Sequence, residues 1–85
     1  MSDSPRVGFV GTGRMATALA GGLVSSGFCP AASIVGSDVV PAAAEAFAES
    51  TGGAVVESNA EVAERSDVIV LAVKPQQMSE VLAGL

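Results

Sequence analysis

Apolar residues fall into short runs separated by longer stretches of mixed polarity, and the two kinds alternate along the chain. Residues 6–10 (Arg-Val-Gly-Phe-Val) read as a buried strand closed by Gly11. Residues 15–26 read as a helix with Met15, Leu19, Gly22 and Leu23 on one face at helical spacing, and Gly27 suits its end. Gly21 and Gly22 inside that helix each cost about 1 kcal/mol relative to Ala, which close packing against a sheet would explain. Residues 33–37 read as a second strand ending at Asp38. Pro41 fits the first turn of a helix that runs through Ser50 and stops at Gly52-Gly53. Residues 54–56 form a short third strand, and Ser58 with Glu61 matches a capping box opening a helix to Arg65. Residues 67–73 are apolar without alternation, the pattern of a strand covered by helices on both faces. Lys74-Pro75 ends that strand, and residues 76–82 read as the next helix. The order β-α-β-α-β-α-β-α predicts an α/β fold with a parallel sheet and right-handed crossovers.

Length and composition change the picture in one respect. The chain has 85 residues, less than one domain at about 150 residues each. Hydrophobic residues make up 49 % and charged residues 15 %, against about 25 % charged in an ordinary soluble domain. So apolar a surface suits part of something larger. The expected sheet of about four strands is likewise short of the six in a complete dinucleotide fold, which would leave one edge without its neighbour. The expectation is therefore one unit, residues 1–85, that is the apolar-rich part of something larger.

Several chemistries are excluded outright. The chain has no His, no Trp and no Tyr, which removes Ser-His-Asp and Cys-His catalysis and His-bearing zinc sites. Its one Cys cannot form an internal disulfide or a four-thiolate metal site. Cys29, before Pro30, reads as a small residue at a loop, and a lone thiol suits a reducing, cytoplasmic setting. The net charge of −5 and the lack of a basic stripe argue against nucleic acid. The N-terminal residues form neither a signal peptide nor a membrane span.

The sharpest motif is Gly11-Thr12-Gly13-Arg14-Met15-Ala16, which follows a strand and opens a helix, the setting that gives G-x-G-x-x-A its meaning. Gly11 permits the tight turn, and Gly13 lets a pyrophosphate approach the backbone. Ala16 lets helix and strand pack closely, and the helix N-terminus meets the phosphate charge. Without a ligand the same residues make a tight strand-to-helix turn. Asp38 closes the second strand, where an acid commonly binds the adenosine ribose. A carboxylate there favours NAD(H) over NADP(H), no Arg or Lys follows in residues 39–42, and Ser37 offers one hydrogen bond; the bland alternative for Asp38 is a helix cap. Ser58 and Asn59 suit a helix cap, or Asn59 the adenosine side of a cleft. Ala72, Val73, Lys74 and Pro75 sit at the carboxyl end of the fourth strand, where ligands of open α/β sheets lie.

Val7-Gly-Phe-Val-Gly-Thr-Gly-Arg-Met-Ala-Thr-Ala-Leu, taken with Ser66-Asp-Val-Ile-Val-Leu-Ala-Val-Lys-Pro-Gln76, resembles the N-terminal part of the pyrroline-5-carboxylate reductase family. The resemblance runs from about Arg6 to the end, and the Ala-Val-Lys-Pro-Gln run is its more specific part. It implies a Rossmann-type cofactor domain and reduction of the small molecule 1-pyrroline-5-carboxylate to L-proline with NADPH or NADH. By position it implies that Val10, Gly11, Thr12, Gly13, Arg14 and Met15 hold the pyrophosphate. Ser37 and Asp38 would lie near the adenosine ribose, Asn59 would contact the cofactor, and Ala72, Val73, Lys74 and Pro75 would line the nicotinamide side. The family's substrate-binding residues belong to a helical C-terminal domain that also builds its homo-oligomers, and no residue here is assigned as catalytic. Where the family often has a basic residue after the second strand, Val39 stands. Two other readings remain: the cofactor domain of a related NAD(P)-dependent oxidoreductase with another substrate, and a non-catalytic nucleotide-binding module.

Overall fold

The structure is a computed structural model, and it describes residues 5–73 and 75–83. The elements are β1 (Val7–Val10), α1 (Arg14–Ser25), a single 3-10 turn (Ala31–Ser33), β2 (Ile34–Ser37), α2 (Pro41–Thr51), β3 (Ala54–Val55), α3 (Asn59–Arg65), β4 (Val68–Leu71) and α4 (Pro75–Ala83). All strands are parallel, in the order β3-β2-β1-β4. The chain winds outward from β1 to β3, then crosses back to place β4 on the other side of β1. This is the Rossmann-type arrangement, and the crossing leaves the carboxyl ends of β1, β2 and β4 together.

Local chemistry explains the boundaries. α1 ends in a Schellman motif: Gly27 takes φ 81°, its N–H reaches the Val24 carbonyl at 3.1 Å, and the Phe28 N–H reaches the Leu23 carbonyl at 3.0 Å. Gly52, with φ 77°, ends α2 in the same left-handed region. Pro41 opens α2 where its missing N–H is harmless. The Ser58 hydroxyl accepts the Glu61 N–H at 3.1 Å, as the capping box requires. The 3-10 turn before β2 had no signal in the hydrophobic pattern.

Each face of the sheet carries its own core. Val7, Phe9, Ile34, Ala16, Ala20, Cys29 and Phe47 pack on the α1/α2 side, and Val10, Val35, Val56 and Val62 on the other. The Phe9 and Phe47 rings sit 5.6 Å apart at 57°, a tilted pair worth about 0.5–1.5 kcal/mol beyond area burial. A side chain on Gly36 would lie 2.8 Å from Thr12 Cγ2 and 3.0 Å from Phe47 Cε2, so the bare backbone of β2 lets both close over it.

Two sequence expectations are corrected here. The buried face of α1 is Ala16 and Ala20, with Leu23 and Val24 beside them. Met15 and Leu19 are 77 % and 45 % exposed, and Gly22 is exposed too. Ala16 and Ala20 pack in one core cluster with Val7, Phe9 and Phe47, so two alanines fill the contact and the larger side chains face outward. Gly21 and Gly22 therefore do not serve close packing: a Cβ on either would meet nothing within 4 Å. The close approach of chain to sheet falls on Gly8, where a Cβ would overlap Ser66 Oγ and lie 2.6 Å from Val62 Cγ1. Second, β4 is not covered on both faces. Val68 and Ile69 are 48 % and 37 % exposed, because β4 is an edge strand; Leu71, Val73 and Val81 of α4 pack against the second core.

Candidate functional site: a groove across the strand ends

Gly11 carries the chain from β1 into α1 with φ 96°, a conformation L side chains rarely adopt. A Cβ there would also overlap the Ala72 carbonyl oxygen, so glycine is required twice over. Three main-chain links tie the strand ends together: the Gly11 N–H donates to the Ser37 carbonyl at 2.9 Å, the Ala72 N–H to the Val10 carbonyl at 2.8 Å, and the Val56 N–H to the Gly36 carbonyl at 2.9 Å.

The turn is fixed from the side by Asp38. Its Oδ2 accepts the Thr12 N–H at 2.8 Å and the Thr12 hydroxyl at 3.0 Å, and its Oδ1 accepts the Val40 N–H at 2.9 Å. Partial burial acts to raise the carboxyl pKa, but these donors, with the Val39 N–H, outweigh it and hold Asp38 below its ordinary value. Asp38 is therefore a carboxylate at neutral pH. It is not the cap of α2, whose N-cap is Val40, without a side-chain cap. Thr12 is 2 % exposed, so its side chain braces the turn from inside.

The amides of Gly11 and Thr12 are thus engaged within the protein. The first intrahelical bond of α1 runs from the Thr17 N–H to the Gly13 carbonyl at 2.9 Å, and Gly13, the N-cap, offers no side chain. The N–H groups of Arg14, Met15 and Ala16 therefore belong to the open first turn, where helices present unsatisfied donors and positive dipole to an anion. A Cβ on Gly13 would meet nothing within 4 Å, so the space before this turn is open.

Beside the turn lies a groove of about 310 Å³, lined by Val10, Gly11, Gly13, Ser37, Asp38, Val39, Val40, Asn59, Ala72, Val73, Gln77, Glu80 and Val81. Ser37 is 2 % exposed, and its hydroxyl donates to Asn59 Oδ1 at 2.6 Å. That bond orients the Asn59 amide; capping of α3 falls to Ser58. Of the residues singled out from the sequence, Val10, Gly11, Gly13, Ser37, Asp38, Asn59, Ala72 and Val73 come together in this groove. Thr12 lies behind it, and Met15 is exposed outside its lining. Arg14 lines an adjoining recess of about 470 Å³ between α1 and α2, with Thr17, Ala43 and Ala46. Lys74 and the side chain of Pro75 lie outside the described residues. The sequence reading missed Val39, Val40, Gln77, Glu80 and Val81; the last three share one face of α4 at i, i+3, i+4 spacing, which was the available signal. Among the described residues no cluster of His, Cys, Asp or Glu is arranged to hold a metal, and no helix is long and apolar enough to cross a membrane.

Comparison with known proteins agrees with this fold. A pyrroline-5-carboxylate reductase of Pisum sativum is 41 % identical over 85 residues, covering 100 % of this chain and 31 % of the relative. One from Pseudomonas aeruginosa is 45 % identical over 83 residues, covering 98 % of this chain and 30 % of the relative. The solved structure of a pyrroline-5-carboxylate reductase from Coxiella burnetii superposes with a TM-score of 0.83 at 30 % identity, over 93 % of this chain and 29 % of that one. The chain thus spans about 30 % of the length of the relatives it matches. Residues 6–85 match the family model described as NADP oxidoreductase coenzyme F420-dependent, and the chain belongs to that family.

Proposed function

We propose that residues 1–85 form the cofactor-binding part of a cytoplasmic pyrroline-5-carboxylate reductase, which reduces 1-pyrroline-5-carboxylate to L-proline with NADH or NADPH. The observation that carries this reading is the open space before Gly13, at the start of α1 and beside a groove over the strand ends. The similarity to pyrroline-5-carboxylate reductases over nearly the whole chain supports the substrate class.

In this reading the N–H groups of Arg14, Met15 and Ala16 hold the pyrophosphate. Asp38 lies beside the adenosine ribose, and the Asn59 amide, set by Ser37, donates into the groove. Ala72 and Val73 give an apolar wall on the nicotinamide side, which keeps water from the reacting face. Nicotinamide, when bound, supplies the hydride for the substrate C=N carbon. The residues that bind the substrate belong to a further part of the protein, where its self-association is also expected.

Two measurements test this. The chain lacks Trp and Tyr, so nicotinamide fluorescence can be titrated free of protein emission; saturable binding of a reduced nucleotide is expected. A chimera joining this chain to the unmatched part of the Pseudomonas aeruginosa relative should oxidise NADH or NADPH with 1-pyrroline-5-carboxylate and yield proline. A folded chimera that turns over another imine or carbonyl substrate, and not this one, contradicts the assignment.

A further inference from the structure

We infer that Asp38 makes the groove select a dinucleotide whose adenosine 2′-hydroxyl is free, so that the chain takes NADH in preference to NADPH. This deepens the dinucleotide reading of the groove and rests on it. In this fold the ribose hydroxyls meet the acid at the end of β2, and a 2′-phosphate meets a nearby Arg. Three features place the chain on the first side.

The carboxylate cannot turn away from an incoming phosphate. Both its oxygens are tied, Oδ2 to the N–H and hydroxyl of Thr12 and Oδ1 to the Val40 N–H. A ribose hydroxyl can donate a proton to a carboxylate oxygen, whereas a phosphate brings only like charge. Among the described residues, no cationic side chain lines the groove. Val39 is 90 % exposed and Val40 is 52 % exposed, so the β2–α2 turn offers apolar side chains to solvent. The Ser37 proton is committed to Asn59. Finally, the charged side chains lining the groove among the described residues, Asp38 and Glu80, are both acidic. Among the described residues, Arg14 lines the adjoining recess, which also borders Gly13.

The test is parallel titration of the full chain with NADH and NADPH, followed by nicotinamide fluorescence, with circular dichroism confirming the fold. NADH should bind at least about tenfold more tightly, 1.4 kcal/mol in binding free energy. Asp38→Asn should narrow that ratio. Because Asp38 also braces the turn, Val39→Arg provides a second variant at an exposed position, and it should narrow or invert the ratio. NADPH binding as tightly as NADH overturns this inference and leaves the dinucleotide reading standing. If NADPH binds more tightly and Arg14→Ala removes that preference, Arg14 holds the 2′-phosphate and the role given to Asp38 is wrong. A folded chain that binds neither nucleotide overturns the groove reading, and this inference with it.

Discussion

Replacing Gly13 with Ala separates what the turn does for the fold from what it does for the ligand. Gly13 has φ −74°, an ordinary value for alanine, and the added methyl meets no protein atom within 4 Å. Two small effects oppose each other in stability. Alanine is a poorer N-cap than glycine, by an amount below about 1 kcal/mol. Removing a glycine also lowers the entropy of the unfolded chain, worth about 0.4–1 kcal/mol in the other direction. The unfolding free energy from urea titration should therefore stay within about 1 kcal/mol of the parent. The methyl does occupy the space assigned to the pyrophosphate, and holding the phosphates away from the N–H groups of α1 weakens charge-assisted hydrogen bonds worth about 1.5–3 kcal/mol each. Losing one such bond lowers NADH affinity roughly tenfold to a hundredfold. The assay pairs urea unfolding by circular dichroism with NADH titration by fluorescence. A Gly13→Ala variant that binds NADH as the parent does refutes the reasoning, as does one that loses binding only because it unfolds.

Gly11→Ala should behave in the opposite way: positive φ costs about 1–2 kcal/mol, and overlap with the Ala72 carbonyl adds overpacking strain of about 1–3 kcal/mol, so the urea midpoint should fall sharply with or without nucleotide. Gly21→Ala should stabilise α1 by about 0.5–1 kcal/mol, since the helix interior gains a better helix former and the new Cβ meets nothing; a higher thermal midpoint checks it, and a lower one would mean that α1 packs differently there. Because the Asp38 carboxyl is held below its ordinary value of 3.8, its contribution to stability is complete above that value and is lost as pH falls through the lower, folded one. Stability measured between pH 6 and about pH 2 should therefore drop in acid, with a smaller drop in Asp38→Asn. An equal drop in the variant would show that other carboxylates carry it; the exposed Asp67, lowered by its hydrogen bonds from Arg6, titrates in the same direction.

The element order was legible because this chain punctuates itself. Gly27 and Gly52 stop helices by their left-handed backbone, Pro41 and Ser58 start them, and the short apolar runs between are too brief for anything but strands. The G-x-G-x-x-A turn was legible for the same reason, since backbone geometry at Gly11 and open space at Gly13 are written in the residue type itself. The packing face of α1 was not. Periodicity marks large apolar groups, and here Ala16 and Ala20 fill the contact with the core, leaving Met15 and Leu19 outside. Nor was the role of Thr12, which turns inward because the end of β2 brings Asp38 beside it from 26 positions away in the chain. The α4 wall of the groove was hidden likewise, because Gln77, Glu80 and Val81 join Asp38 in one groove only after the crossing that sets β4 next to β1.

The most direct test of the dinucleotide groove is an amide NMR map of the isotope-labelled chain as NADH is added. Saturable shifts of the Gly13, Arg14, Met15 and Ala16 amides are expected, accompanied by Asn59, Ala72 and Val73. Shifts confined to the far ends of the strands, around Ala31 or Arg65, would contradict it, as would saturable binding that leaves the first turn of α1 unmoved.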